Sequence, residues 1–202
     1  MAGRGDRAAG RWRTRPDRRR TLKLDEAGRL AGTRFIPSPN CDDRPPGTRV
    51  TLLVVHGISL PPGKFGGEDV VRLFTNALDC AAHPAYESLR GLRVSAHFFI
   101  RRTGELIQLV PCGRRAWHAG ASSWLGREAC NDFSIGIELE GTDERPYAGR
   151  QYQRLARLVT ALGRHYPLTD IVGHSDVAPG RKTDPGPAFD WGRLRALLGG
   201  SL

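Results

Sequence analysis

Long apolar runs are missing from this 202-residue chain. None approaches the roughly 18 residues that a membrane-spanning helix requires, so no membrane association is expected. The N-terminus also lacks the apolar core and small-residue cleavage site of an export signal, and the expected location is the cytoplasm. Cysteine is sparse: four residues, at 41, 80, 112 and 130, form no C-x-x-C pair and no regular spacing. That pattern argues against a disulfide framework and for reduced, mostly buried thiols in a reducing compartment. No internal repeat is visible.

Positive charge, by contrast, is plentiful. The formal net charge of +10 would suggest nucleic acid, but it is unevenly placed. Residues 1–20, MAGRGDRAAGRWRTRPDRRR, hold eight arginines and two aspartates, which is +6, leaving +4 for the remainder. This composition cannot support a core, so 1–20 reads as a disordered, solvated extension and 21–202 as one domain. One arginine-rich tail with a single Trp12 is slight evidence for phosphate binding, and no nucleic-acid partner is expected.

The domain reads as alternating elements. Residues 21–49, with PSPNCDDRPPG, look like a surface wrap. The run TLLVVHG at 51–57 is β-rich and short, as for a strand covered on both faces, and it carries His56 at its end. EDVVRLFTNALDC (68–80) places Val70, Val71, Phe74 and Leu78 at helical spacing. RVSAHFFIRR and ELIQLV flank Thr103 and Gly104 as a hairpin, and WHAGASSWLGREACND is a long loop. In the strand FSIGIELEG, Ile135, Ile137 and Leu139 share one face, while Ser134, Gly136, Glu138 and Glu140 share the other. A helix over 148–166 brings Tyr152, Leu155, Leu158, Val159 and Leu162 inward. DIVGH is a short strand, and FDWGRLRALL closes the chain with Phe189, Leu194, Leu197 and Leu198 facing the core. The expected fold is α/β: a single domain with a central mixed β-sheet flanked by helices.

Residues 173–186, GHSDVAPGRKTDPG, concentrate polar side chains in a loop too rich in glycine and proline for a helix or a central strand. His56 and His174 each follow an apolar strand. If those strands are neighbours, both imidazoles enter one cleft, and Asp184 would complete three ligands with a fourth position open, as in catalytic zinc sites. The bland alternative stays open on spacing alone: His56 caps a strand, His174 bonds a neighbouring loop and Asp184 caps the turn before Pro185.

The strings HGISLPPGKFGG, RVSAHF, RAWHAGASSW, CNDFSIGIELEGTD and GHSDVAPGRKTDPGPAFDW, in this order, resemble the AmpD-type N-acetylmuramoyl-L-alanine amidases. These are zinc amidases related to phage lysozyme-like amidases and peptidoglycan recognition proteins, and the resemblance covers about residues 30–195. It implies a cytoplasmic enzyme of cell-wall recycling that cleaves the amide between 1,6-anhydro-N-acetylmuramic acid and L-alanine in small soluble muropeptides. One zinc ion per chain would be held by His56, His174 and Asp184. Glu138 would be the proton carrier and Lys182 the cation that steadies the developing oxyanion, while Glu140 is expected to be structural. Trp117 would form a wall for the anhydro-sugar, Arg93 would hold a carboxylate of the stem peptide, and His97 would line the site. Members of the fold that bind peptidoglycan without cutting it have lost a ligand, whereas all three positions are filled here. Two positions depart from close relatives: Gly57 stands where asparagine is frequent, and Ala129 where a second arginine is frequent. A monomer is expected.

Overall fold

The computed structural model describes residues 22–200, and the arginine-rich extension expected over 1–20 lies outside them. The strands are β1 (Arg34–Phe35), β2 (Cys41–Asp43), β3 (Leu52–Ile58), β4 (Phe98–Ile100), β5 (Leu106–Gln108), β6 (Arg114–Ala116), β7 (Ser123–Trp124), β8 (Arg127–Glu128), β9 (Ser134–Glu140) and β10 (Asp170–Gly173). The helices are α1 (Asp69–Phe74), α2 (Gly149–Leu162), α3 (His174–Val177) and α4 (Trp191–Leu197). Six strands form one mixed sheet in the order β1-β5-β4-β9-β3-β10. Within it only β4 and β5 pair antiparallel.

The two longest apolar strands, β3 and β9, lie side by side at the centre because each can be covered on both faces. On one face Leu53, Val55, Ile135, Ile137 and Leu139 pack against Tyr152, Leu155, Leu158, Val159 and Leu162 of α2 and Leu194 of α4. Each such fully buried aliphatic side chain contributes about 1.5–3 kcal/mol. On the other face Leu52 and Val54 meet Val172, Val177, Ala119 and Cys130, while Phe99 and Ile107 receive Val70, Val71 and Phe74 of α1. The result is the expected mixed sheet flanked by helices.

Several elements differ from the sequence expectation. Helix α1 stops at Phe74, not near residue 80: the Thr75 hydroxyl donates back to the Val71 carbonyl, and Asn76 turns left-handed at φ +60°. Leu197 is 47 % exposed, because the register of α4 points Leu194 and Leu198 inward and turns Leu197 away. The 21–49 wrap contains β1, which adds parallel to β5, and β2, which pairs antiparallel with β6. The long loop after Trp117 holds the β7–β8 hairpin. The β4–β5 turn spans residues 101–104, closed by Gly104 N–H to the Arg101 carbonyl at 2.8 Å, with Gly104 at φ +84°.

The topology positions the site. Strands β9, β3 and β10 run parallel, so their carboxyl ends lie together, the place where α/β sheets gather ligands. Glu138 sits directly opposite His56 across the β3–β9 ladder. Strand β10 pairs with β3 as far as Gly173 opposite Val55, and His174 follows at once.

Candidate active site

His56, His174 and Asp184 converge, although 118 residues separate the two histidines in the chain. The two Nδ1 atoms are 3.0 Å apart. His174 Nδ1 lies 3.2 Å from both carboxylate oxygens of Asp184, and His56 Nδ1 lies 3.3 Å from Oδ2. Four ligands about 2.0–2.1 Å from a tetrahedral zinc are separated by roughly 3.3–3.4 Å. The observed triangle is close to one face of that tetrahedron, so the donor set fits zinc with one position left open. Both histidines are buried. Burial foremost pushes His56 down to about 4, so its ring is neutral at neutral pH, the form that ligates. Asp184 presents its carboxylate oxygens to the same two Nδ1 atoms.

The two carboxylates on the β9 face have different surroundings. Glu138 is buried between His56 on β3 and Phe99 on β4, and its Oε2 has no hydrogen-bond partner among the described residues. Burial, followed by the neighbouring Asp184, raises its proton affinity well above that of an ordinary carboxylate. Glu140 is satisfied instead: Oε1 accepts from Gly66 N–H at 2.6 Å and Oε2 from Arg102 N–H at 2.9 Å, which ties the 60–67 loop and the β4–β5 turn to the sheet. Lys182 is exposed on the Asp184 loop, and its charge opposes protonation of both Glu138 and His56.

Trp117 is half-buried, with its indole N–H donating to Asp42 Oδ1 at 3.1 Å; Asp42 in turn receives two bonds from Arg115. Arg93 is exposed on the approach to β4. His97 is different. Its ring is fully buried, Nδ1 accepts Gly136 N–H at 3.0 Å, and Nε2 then carries the proton towards the Arg114 carbonyl at 3.1 Å. Both His97 nitrogens are thus committed to the backbone, and the ring lies against that of His118.

Three residues of the site escaped the sequence reading. His118, in the long loop after β6, is buried with Nδ1 3.0 Å from His56 Nε2. Arg44, in the wrap, donates to the carbonyls of Cys112, Asn131, Asp132 and Ser134 behind the site. Tyr147 Oη donates to the Pro185 carbonyl at 3.0 Å, bracing the residue after Asp184. At Gly57, one of the two departures, an added Cβ would overlap Tyr147 Oη. Ala129, the other departure, is exposed and left-handed at φ +56° between β8 and the 3₁₀ turn at 130–132.

A chain that gathers two histidines and an aspartate beside a buried, unpartnered glutamate has counterparts among known proteins. Residues 46–187 match the Amidase_2 family, described as N-acetylmuramoyl-L-alanine amidase. The 1,6-anhydro-N-acetylmuramyl-L-alanine amidase AmpD of Escherichia coli (strain K12) is 57 % identical over 177 residues, 87 % of this chain and 97 % of that protein. The crystal structure of a selenomethionine derivative of AmpD superposes with a TM-score of 0.85 at 57 % identity, over 87 % of this chain and 99 % of the other. A more distant structure, the E. coli amidase AmiD with the substrate anhydro-N-acetylmuramic acid-L-Ala-D-γ-Glu-L-Lys, matches at TM-score 0.54 and 27 % identity, over 86 % of this chain and 65 % of that one. The chain belongs to the N-acetylmuramoyl-L-alanine amidase family and is an amidase.

Proposed function

We propose that this amidase hydrolyses the bond between 1,6-anhydro-N-acetylmuramic acid and L-alanine in soluble muropeptides, with one zinc ion on His56, His174 and Asp184, as a step of cytoplasmic cell-wall recycling. The observation that carries the reading is the ligand triangle set beside Glu138, in a chain 57 % identical to an enzyme named for that reaction. Zinc held there would supply Lewis-acid chemistry, making water a better nucleophile and polarising the amide carbonyl.

The protein's own groups do the remaining work. Glu138 accepts the proton of the attacking water at its unpartnered Oε2 and delivers it to the departing alanine nitrogen. Its raised proton affinity makes it basic enough to take that proton, and its burial keeps bulk water from intercepting it. Lys182 places an ammonium where the carbonyl oxygen becomes negative. Trp117, anchored through Asp42, offers its indole face to the sugar, and the Arg93 guanidinium pairs with a stem-peptide carboxylate. The test is mass spectrometry of products after incubation with an anhydro-muropeptide. Free peptide plus anhydro-N-acetylmuramic acid is expected; an intact substrate, or cleavage elsewhere in the peptide, refutes the assignment.

A further inference from the structure

Both metal-binding imidazoles rest on one dipeptide, His118 and Ala119. His174 Nε2 lies 3.2 Å from the Ala119 carbonyl. A carbonyl only accepts, so His174 carries its proton on Nε2 and keeps a lone pair on Nδ1, the atom that faces His56 and Asp184. The state of His56 follows from a longer chain of hydrogen bonds, read inward from its outer end. The Ser134 hydroxyl donates to the Cys130 carbonyl, which leaves Oγ as an acceptor for His118 Nε2 at 3.1 Å. His118 therefore holds its proton on Nε2 and offers a lone pair at Nδ1. His56 Nε2, 3.0 Å away, must donate to it. The His56 lone pair is then on Nδ1, facing its counterpart on His174.

The dipeptide is itself held in place. Asn131 Oδ1 accepts both consecutive backbone N–H groups, from His118 at 3.1 Å and Ala119 at 2.8 Å. Arg181 donates to the carbonyls of Ala119 and Ala121 from the other side. The His118 ring lies against β9 because residue 136 is glycine; a Cβ there would overlap the ring.

Resting on the zinc reading above, we propose that His118 and Ala119, clamped by Asn131, form a positioning unit that presents both Nδ1 lone pairs to the metal. Metal affinity then depends on residues that do not touch the ion. Outer partners of this kind typically change metal affinity by about 10–100-fold when removed.

The experiment measures the zinc dissociation constant of the full chain by competition with a chromophoric chelator, together with the visible absorption of the cobalt-substituted protein. His118→Phe fills the slot above Gly136 but offers no acceptor, and it should weaken zinc binding by about 10–100-fold. His118→Asn places an amide oxygen near the former Nδ1 and should restore most of the affinity. Asn131→Ala should weaken binding and broaden the cobalt bands, since both histidines lose their fixed partner together. Circular dichroism and thermal midpoints establish that each variant is folded. If His118→Phe does not fold, Asn131→Ala and Ser134→Ala carry the test. Wild-type zinc affinity and an unchanged cobalt spectrum in the folded variants would overturn the proposal. Absence of zinc binding by the wild-type protein would instead overturn the metal reading on which it rests.

Discussion

Glu138→Gln separates catalysis from stability, because the replacement keeps the size of the side chain and removes its capacity to ionise. Losing a positioned proton carrier lowers kcat by about 10²–10⁴-fold, or roughly 2.7–5.4 kcal/mol of barrier. Stability of the metal-free protein should move the other way. The Glu138 carboxyl is buried with Oε2 unpartnered, and its proton affinity is raised by burial first and by Asp184 second. Below the ordinary value of 4.5, folded and unfolded chains both hold this proton. As pH rises past that value, the unfolded chain releases the proton while the folded protein resists, so the wild-type protein loses stability until pH passes the folded pKa. Each unit of separation corresponds to about 1.4 kcal/mol. Glutamine does not titrate, so the metal-free variant should gain on the wild type as pH climbs from about 4.5 towards neutrality. Urea unfolding of both metal-free proteins across that range, with turnover of the zinc-loaded proteins measured alongside, tests both halves. A variant that keeps wild-type turnover would refute the catalytic role, and one that is less stable than wild type at neutral pH would refute the burial argument.

Gly57→Ala drives a methyl group into Tyr147 Oη and should cost about 1–3 kcal/mol of stability. In a Tyr147→Phe background the penalty should shrink, as thermal denaturation of the four proteins of the cycle will show. Arg44→Leu strips the donors from four backbone carbonyls behind the site, and urea titration should show a loss of about 3 kcal/mol; an unchanged midpoint would contradict the role given to this side chain. Deleting residues 1–20 should leave turnover unchanged, since no step assigned here uses them, and a steady-state assay of the shortened chain decides it.

The sequence made some of this legible because certain signals are local. The apolar runs of β3 and β9 announce buried strands, and the two-residue period of β9 already placed Glu138 apart from Ile135, Ile137 and Leu139. That β3, β9 and β10 lie adjacent and parallel is a tertiary fact, and spacing alone left the convergence of His56 with His174 open. Strands of two or three residues, such as β1, β2 and β7, are too short to show any period. Arg44 carries a charge in a proline-rich stretch and so reads as surface; only the folded chain reveals the carbonyls that satisfy it. His118 was hidden for a similar reason. Its role depends on Gly136 making room and on Ser134 ordering the protons, and neither relation is visible along the chain.

The proposed hydrolysis depends on a single metal ion at the triangle of His56, His174 and Asp184. Its most direct test is to strip the protein with a chelator, verify by elemental analysis that no metal remains, and titrate zinc back while following turnover. Activity should be absent at the start, rise linearly and break at one equivalent, and Asp184→Ala should show no such rise. Full turnover by the verified metal-free protein would contradict the account.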